Sequence, residues 1–435
     1  MDEKAIQREP TGSPQKGVAG SAAAAPKKLP VAAIGAWLLV AVYYFYQYAL
    51  RSAPSVMMPQ LTEAFAVNAL GVSAIVGLFY YGYSPFSLVA GAAIDRFGAK
   101  KIIPIGATLV GIGAVLFGTG NVAVANIGRF LQGAGGVFAL VGAVYLVTKN
   151  FPASMAASFI GATQMFGMAG GSAGQFLVGP IINGGLPWNQ FWIYCGLLGL
   201  AIGACLFFFL PREERSPTAS AGGLASVFRS LKNVFMNPQS ILCGLISGLL
   251  FIPTTIFGMT WGVRYLQEAR GREYEAAVML AATVPLGWMV GCPLLGFISD
   301  RLGRRKPVIL AGSMVLLGVM AWILFGDPKI FRGPVVGILM GVASGAAMLP
   351  YSVIKEVNPP HLGGSATGVI NFINFTFSAL LGPVFGSRLV QSPDSDATTA
   401  LAQYQAGFQP LLFGILAAVI LTCFLKETGP AARKT

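Results

Sequence analysis

The sequence predicts an all-α integral membrane protein: twelve transmembrane helices in two pseudo-symmetric six-helix bundles. Three observations predict it. Charged residues make up 10% of the chain and hydrophobic residues 55%, too few charges to cover a water-facing surface, which takes roughly a quarter charged residues. Twelve apolar runs each approach the about 20 residues needed to cross about 30 Å of hydrocarbon. Finally, one short basic phrase occurs twice. Gly91-Ala-Ala-Ile-Asp95-Arg96-Phe-Gly98-Ala-Lys100-Lys101 returns as Gly296-Phe-Ile-Ser-Asp300-Arg301-Leu-Gly303-Arg304-Arg305-Lys306, shifted by 205 residues. Each copy closes one apolar run and precedes the next.

In chain order, residues 1–28 are rich in Ala, Gly, Pro, Ser and Lys and read as a disordered tail, with no cleavable signal. The first bundle (29–210) carries spans 1 to 6 at about 31–52, 70–94, 102–121, 123–148, 155–181 and 190–210. Runs of this length are helices, since barrel strands are about 10 residues with alternating polarity. The segment 211–239 breaks the rhythm; within it Leu224, Val227, Phe228, Leu231, Val234 and Phe235 recur at helical spacing around Arg229 and Lys232. That pattern fits an amphipathic helix on a membrane surface. The second bundle (240–425) carries spans 7 to 12 at about 240–266, 276–299, 307–326, 334–355, 365–390 and 407–425, and a tail (426–435) follows.

Lys and Arg set the orientation. Both termini, both basic hairpins and the central loop hold most of them, so these parts are expected on the cytoplasmic side of an inner or plasma membrane. Arg264, Arg270, Arg272, Lys329, Arg332 and Arg388 fall opposite. The net charge of +13 is therefore a topology signal rather than a nucleic-acid surface, and basic loops also suit anionic headgroups. The five cysteines all fall in spans without a CxxC pair and read as packing residues.

The halves correspond beyond the hairpins. Gly161-Ala-Thr-Gln164 with Gly179-Pro180 in span 5 parallels Gly368-Val-Ile-Asn371 with Gly382-Pro383 in span 11. Internal repeats of membrane helices mark secondary transporters, whose substrate site lies between the repeats near the midplane. The 56 glycines, concentrated in spans 4, 5, 8, 10 and 11, allow close helix approach, whether for static packing or for interfaces that slide.

On these motifs the chain resembles the major facilitator superfamily. The doubled Gly-x-x-x-Asp-Arg-x-Gly-x-basic-basic phrase matches that family's signature loop between spans 2 and 3 and between spans 8 and 9. Gly128-Arg129-Phe-Leu-Gln132-Gly133 in span 4 matches its second motif. The resemblance implies two six-helix bundles around a cavity opened alternately to each side, and a gating role for Asp95, Arg96, Lys100, Lys101, Asp300, Arg301 and Arg305. Their competing role is simple topology anchoring. The span-5 Gly-Pro-x-x-x-Gly pattern of drug/proton antiporters is not matched, since Gly170-Gly171-Ser-Ala-Gly174 has no proline.

Two arginines stand inside spans, where a charge is costly and marks function by default. Arg129 in span 4 has no deep carboxylate in its half; backbone carbonyls, Gln132 or an anionic substrate are its available partners. Aligning Gly128 on Gly337 puts Ile338 at its repeat position, so the charge is one-sided. Arg51 follows the aromatic run Tyr43–Tyr48. Tyr48-x-x-Arg51-x-x-x-Ser55-x-x-x-Pro59-x-Leu61 resembles span 1 of the anion:cation symporter branch, where such an arginine binds substrate anions. The alternative is snorkelling to the interface, which is also the reading for Arg264. The candidate substrate-binding set is Arg51, Tyr44, Gln47, Tyr48, Tyr80, Arg129, Gln132, Gln164, Trp261, Asn371 and Asn374. Asn371 and Asn374 lie a helical turn apart, and amides in hydrocarbon must find partners in a cavity or between helices. Trp188 and Trp192 read as interface belts.

Every acid of the spans lies at an end or in a loop, including Glu63, Asp95, Glu268, Asp300 and Glu356; the lone His361 is a loop residue. No phosphate loop, metal-ligand cluster or catalytic set is visible, so the chain reads as no enzyme, with no cofactor and no metal. The leading expectation is a monomeric secondary active transporter, working by alternating access, for a small polar, anionic organic solute. A coupling proton or counter-ion is a further expected partner; exchange and uniport stay open. The alternatives are an exporter of amphipathic or siderophore-like compounds, amino-acid uptake, or a transporter-shaped sensor or scaffold.

Overall fold

The computed structural model describes residues 31–212, 224–327, 333–389 and 397–429; the expected tail 1–28 lies outside them. Among the described residues twelve helices are long and apolar enough to cross a membrane and no strand occurs. They are Val31–Val56, Ala69–Ile94, Ala99–Phe117, Val122–Asn150, Ser158–Asn183 and Trp188–Phe209 in the first half. The second half has Pro238–Glu268, Tyr274–Leu302, Lys306–Phe325, Gly333–Glu356, Gly363–Ser387 and Ala400–Phe424. These are spans 1 to 12. Side-chain caps start several: Asn68 accepts from Gly71 N at 3.0 Å, Asn121 from Val124 N at 3.2 Å and Asn237 from Gln239 N at 3.0 Å, each satisfying a donor that a helix start leaves free.

Span 12 begins about two turns before the apolar run does. Polar residues hid that turn: Tyr404 donates to Glu268 Oε2 at 2.7 Å and Gln405 to Leu324 O at 2.7 Å, so they serve helix packing rather than a loop. The amphipathic segment forms a helix over Leu224–Phe235 that lies against span 11, with Phe235 edge-on to Phe372 at 5.9 Å. Span 7 changes winding. Pro253 lacks an N–H, and Pro253–Trp261 adopts the wider π form before α-helix resumes. Hydroxyls serve this irregular backbone: Ser344 Oγ donates to Leu250 O at 2.7 Å and shares a 2.9 Å bond with Thr254.

Within each half the helices meet backbone to backbone. A β-carbon on Gly133 would stand 1.9 Å from Phe79 O, and one on Gly82 would stand 2.2 Å from Phe130 O, locking span 4 to span 2. The second half repeats this between spans 10 and 8: Gly341 against Val284 O at 2.0 Å and Gly287 against Ile338 O at 2.1 Å. Only glycine permits such approach in helices that gain little from hydrophobic burial against one another in lipid. These contacts also correct the sequence alignment by one residue. They pair Phe130 with Ile338, so Arg129 corresponds to Gly337. A β-carbon at Gly337 would stand 2.2 Å from Thr283 Oγ1, leaving no room for a side chain in the second half.

Spans 2 and 11 and spans 5 and 8 join the halves. Ser84 Oγ donates to Phe372 O at 2.9 Å and Ser87 Oγ to Gly368 O at 3.4 Å. At the end away from the basic hairpins, here the distal end, Gln175 Nε2 donates to Gly258 O at 2.8 Å and Ser55 Oγ at 2.9 Å. There Tyr274 also donates to Val56 O at 3.1 Å. Toward the hairpin end, β-carbons on Gly91, Gly161, Gly296 and Gly363 would meet nothing within 4 Å. The halves are thus tied in the middle and at the distal end.

Gly133→Leu and Gly341→Leu should each lower the thermal midpoint of the detergent-solubilised protein by the equivalent of about 1–3 kcal/mol of overpacking. Gly318→Ala, with nothing within 4 Å, should leave it unchanged. Equal midpoints for all three would refute the carbonyl contacts as the bracing of the halves.

Candidate functional site

Arg51 occupies the last turn of the regular α-helix of span 1, before the turn Ala53–Val56. Its side chain is 2% exposed. Nε donates to Tyr80 OH at 3.3 Å; Nη1 and Nη2 are buried without a hydrogen-bond partner among the described residues. Five rings surround the guanidinium: Tyr48 at 4.8 Å, Tyr80 at 5.0 Å, Phe375 at 5.1 Å, Phe251 at 5.6 Å and Phe79 at 5.7 Å to the centroids. They come from spans 1, 2, 7 and 11, so both halves enclose it. Each ring attracts a desolvated cation by about 2 kcal/mol or more, which offsets much of the several kcal/mol that a buried ion costs, but each unmade hydrogen bond still costs about 1–3 kcal/mol. The rings temper the charge but do not satisfy its two free donors. A planar oxyanion would.

Gly77 is buried, one turn before Tyr80 on the same helix, yet a β-carbon there would meet nothing within 4 Å. Next to Phe375, Asn374 Nδ2 donates to Ser247 Oγ at 3.4 Å and Tyr351 OH at 3.3 Å, and its Oδ1 is unpartnered. Tyr351 OH donates to Asn371 Oδ1 at 2.6 Å. The site therefore has a cationic wall from the first half and a neutral, aromatic and amide wall from the second.

The other expected residues divide. Tyr44 packs edge-on to Tyr48 at 4.9 Å and donates to Gln164 Oε1 at 3.0 Å, extending the Arg51 group toward span 5. Gln47 turns into the first half, toward Gly136, with both amide atoms unpartnered. Trp261 lies more distally, against Gly386. Arg129 is fully buried inside the first half. Its Nη1 donates to Gln132 Oε1 at 2.7 Å and Leu50 O at 3.3 Å, and its Nη2 to Val76 O at 3.4 Å. Arg129 thus grips the peptide group just before Arg51, and both guanidiniums lie within 6 Å of the Phe79 centroid. Phe251, Phe375, Phe79, Tyr351, Ser247 and Gly77 were not singled out from sequence, since nothing distinguishes three such phenylalanines among 30. Trp192 is no interface belt: it is fully buried, with Nε1 3.2 Å from Met57 Sδ.

At the hairpin end, each basic phrase serves its own half. Lys100 Nζ donates to Leu210 O where span 6 ends, and Lys306 Nζ to Cys423 O in span 12. Arg305 pairs with Asp300 and, at 2.9 Å, with Glu356; burial alone would lower its pKa, but these carboxylates raise it. Arg96 lies over Phe97 at 5.5 Å, and Lys101 and Arg301 are exposed. The Asp95 and His361 side chains lie outside what is described. Glu427 accepts from the N–H groups of Arg305 at 2.6 Å and Lys306 at 3.1 Å, capping the start of span 9. Burial would push its pKa up, but these and the Thr428 and Gly429 N–H groups outweigh it and hold the pKa below the usual carboxylate range. Arg264 pairs with Glu268 near the distal end of span 7.

The profile of the Major Facilitator Superfamily matches residues 40–383. A probable sulfoacetate transporter, SauU, of Cupriavidus necator is 23% identical over 82% of this chain and 87% of its own. A hexuronate transporter of Bacillus subtilis is 24% identical over 78% and 84%. The crystal structure of a D-xylose-proton symporter aligns with a TM-score of 0.68 at 15% identity, covering 91% of this chain and 98% of that one.

Glu427→Ala should destabilise the protein by about 1 kcal/mol, as loss of a helix cap does. Because the folded pKa is depressed, the carboxylate stabilises above its unfolded pKa of about 4.3 and loses that contribution as pH falls below it. The gap between variant and wild-type thermal midpoints should therefore hold from pH 8 to pH 5 and narrow below about pH 4. A gap that widened in acid would contradict the capping role.

Proposed function

We propose that this chain, which belongs to the Major Facilitator Superfamily, carries a small organic anion by alternating access, with Arg51 as the group that binds the anion. The family makes it a multi-pass membrane transporter rather than an enzyme. The observation that carries the anion reading is the enclosed Arg51 guanidinium, whose two adjacent Nη donors have no hydrogen-bond partner among the described residues. A carboxylate or sulfonate accepts such a pair in bidentate fashion. The names of two relatives, for sulfoacetate and hexuronate, support the same chemical class.

In this reading Tyr48 and Tyr80 set the guanidinium plane, and Arg129 holds the Leu50 carbonyl so that span 1 presents Arg51 to the interface. Asn374, with Asn371 and Tyr351 behind it, receives the polar far end of the solute. Tyr44 and Gln164 border the site, while Gln47, Gln132 and Trp261 support it. The basic hairpins face the cytoplasm, as the Lys and Arg bias requires. Asp95, Arg96, Lys100, Lys101, Asp300, Arg301 and Arg305 then act at the cytoplasmic ends of the halves, where Lys100 and Arg305 keep each half rigid as the gap between them opens and closes.

In a thermal-shift panel, a carboxylate or sulfonate at 100 times its Kd should stabilise the wild type by about 2.7 kcal/mol. Arg51→Gln should abolish the shift. Gly77→Leu should reduce it while the unliganded midpoint stays within a few degrees of wild type. The uncharged amide of the same acid should give no shift. An Arg51→Gln variant that binds the acid as well as wild type would end the anion-site reading.

A further inference from the structure

Charge accounting at this site says how transport is coupled. The first half carries only two acids between residues 31 and 210, Glu63 and Asp95. Glu63 is exposed in the short helix Met58–Ala64 after span 1, and Asp95 sits in the last turn of the span-2 helix, at the hairpin end. In the second half, Glu268 is engaged by Arg264 and Tyr404 and Glu356 by Arg305 and Thr428; Asp300 pairs with Arg305. Glu273, Glu275 and Asp327 stand at span ends. None of the carboxylates whose side chains are described is a partner of Arg51, whose only hydrogen bond among the described residues is to the Tyr80 phenol.

The conformation described is a closed one at this site. Phe251 and Phe375 of the second half lie within 6 Å of a guanidinium carried by the first half, and the side chain is 2% exposed. Any rocking of one half over the other passes through an arrangement in which the site is enclosed in this way. An empty carrier must then enclose a dehydrated cation with two unmade hydrogen bonds. A loaded carrier encloses a neutral ion pair with those bonds made. Dehydrating an unpaired charge is the costlier passage, because the Coulomb attraction that offsets desolvation is missing. A symporter needs its empty form to return, and the usual means of easing that return is an acid that neutralises the cation once the solute has left.

We infer that this protein is an obligatory anion exchanger: the halves change sides readily only while an anion neutralises Arg51, so entry of one anion is tied to exit of another and no proton or sodium ion is carried by an acid of the spans. This rests on the anion-site reading above and adds the mode of coupling to it.

Two measurements test it, one without any solute. Single-molecule fluorescence in nanodiscs, with dyes on the hairpin ends of spans 5 and 8, reads how often the halves open and close. The empty wild type should switch slowly. Arg51→Gln, relieved of the charge, should switch at least about tenfold faster, the change that about 1.4 kcal/mol off a barrier brings. Glucuronate and sulfoacetate, the two probe anions, should accelerate the wild type and not the variant. Equal switching rates for empty wild type and empty Arg51→Gln would overturn the inference. In proteoliposomes, labelled glucuronate or sulfoacetate should enter at least about tenfold faster when the same anion is inside, and an inward proton or sodium gradient should drive no accumulation into vesicles lacking internal anion. Gradient-driven accumulation into such vesicles would overturn the inference while leaving the anion site standing. Absence of both binding and flux across the carboxylate and sulfonate panel would instead remove the anion site, and the solute-free switching rates would still decide the charge barrier.

Discussion

A guanidinium enclosed between two halves, with no acid among the described residues to meet it, is the constraint around which the rest of this molecule is arranged. Arg51 and Arg129 share one half and one ring, Phe79, but they are treated differently. Arg129 receives carbonyl and amide oxygens at both Nη atoms, acceptors that fix it as part of the wall although its Nε stays unpartnered among the described residues. Arg51 receives one phenol and a set of ring faces. A ring quadrupole attracts positive charge yet accepts no strong N–H bond, so the charge is partly tempered while its hydrogen-bonding edge stays free. The same chemistry that makes Arg129 structural leaves Arg51 available.

The scaffold is divided to match. Inside each half, glycines let one helix sit on another's carbonyl oxygens, and the register of those contacts is the same in both halves. Between the halves the contacts are of another kind: hydroxyl bonds from Ser84 at 2.9 Å and Ser87 at 3.4 Å, and small residues such as Gly171, where a β-carbon would stand 3.5 Å from Pro285. Interlocked backbone must strain to move, whereas a serine hydroxyl can exchange one acceptor for another or for water. Rigid halves and a yielding seam are what alternating access requires of a helix bundle.

Much of this was legible in the sequence because it is written in composition and spacing. The number of spans, the repeat, the amphipathic connector and the one-sided charge follow from where Lys, Arg, Gly and apolar residues fall. The aromatic enclosure was not legible. Phe251 and Phe375 are ordinary span residues until folding brings spans 7 and 11 across to Arg51, and no local pattern encodes that approach. The start of span 12 was missed because Gln403, Tyr404 and Gln405 look like a loop until Tyr404 and Gln405 meet Glu268 and Leu324. The repeat register in span 4 slipped by one because similar glycine-rich strings align almost equally well, and only the carbonyl each glycine touches decides between them.

The one-sidedness of the charge has a physical consequence for a duplicated fold. Had the second half kept a cation at the counterpart of Arg129, closing the halves would bring like charges together in a medium of low effective dielectric, where repulsion is far stronger than in water. Instead that position is Gly337, pressed against Thr283, and the second half offers Arg51 two phenylalanine rings and a chain of neutral hydrogen bonds from Ser247 through Asn374 and Tyr351 to Asn371. On the proposed reading, one cation opposite a neutral wall would let the halves close on a single anionic group and read the remainder of the solute with amides and phenols. On that reading the symmetry of the scaffold would supply the motion, and the broken symmetry of the charge the cargo's sign.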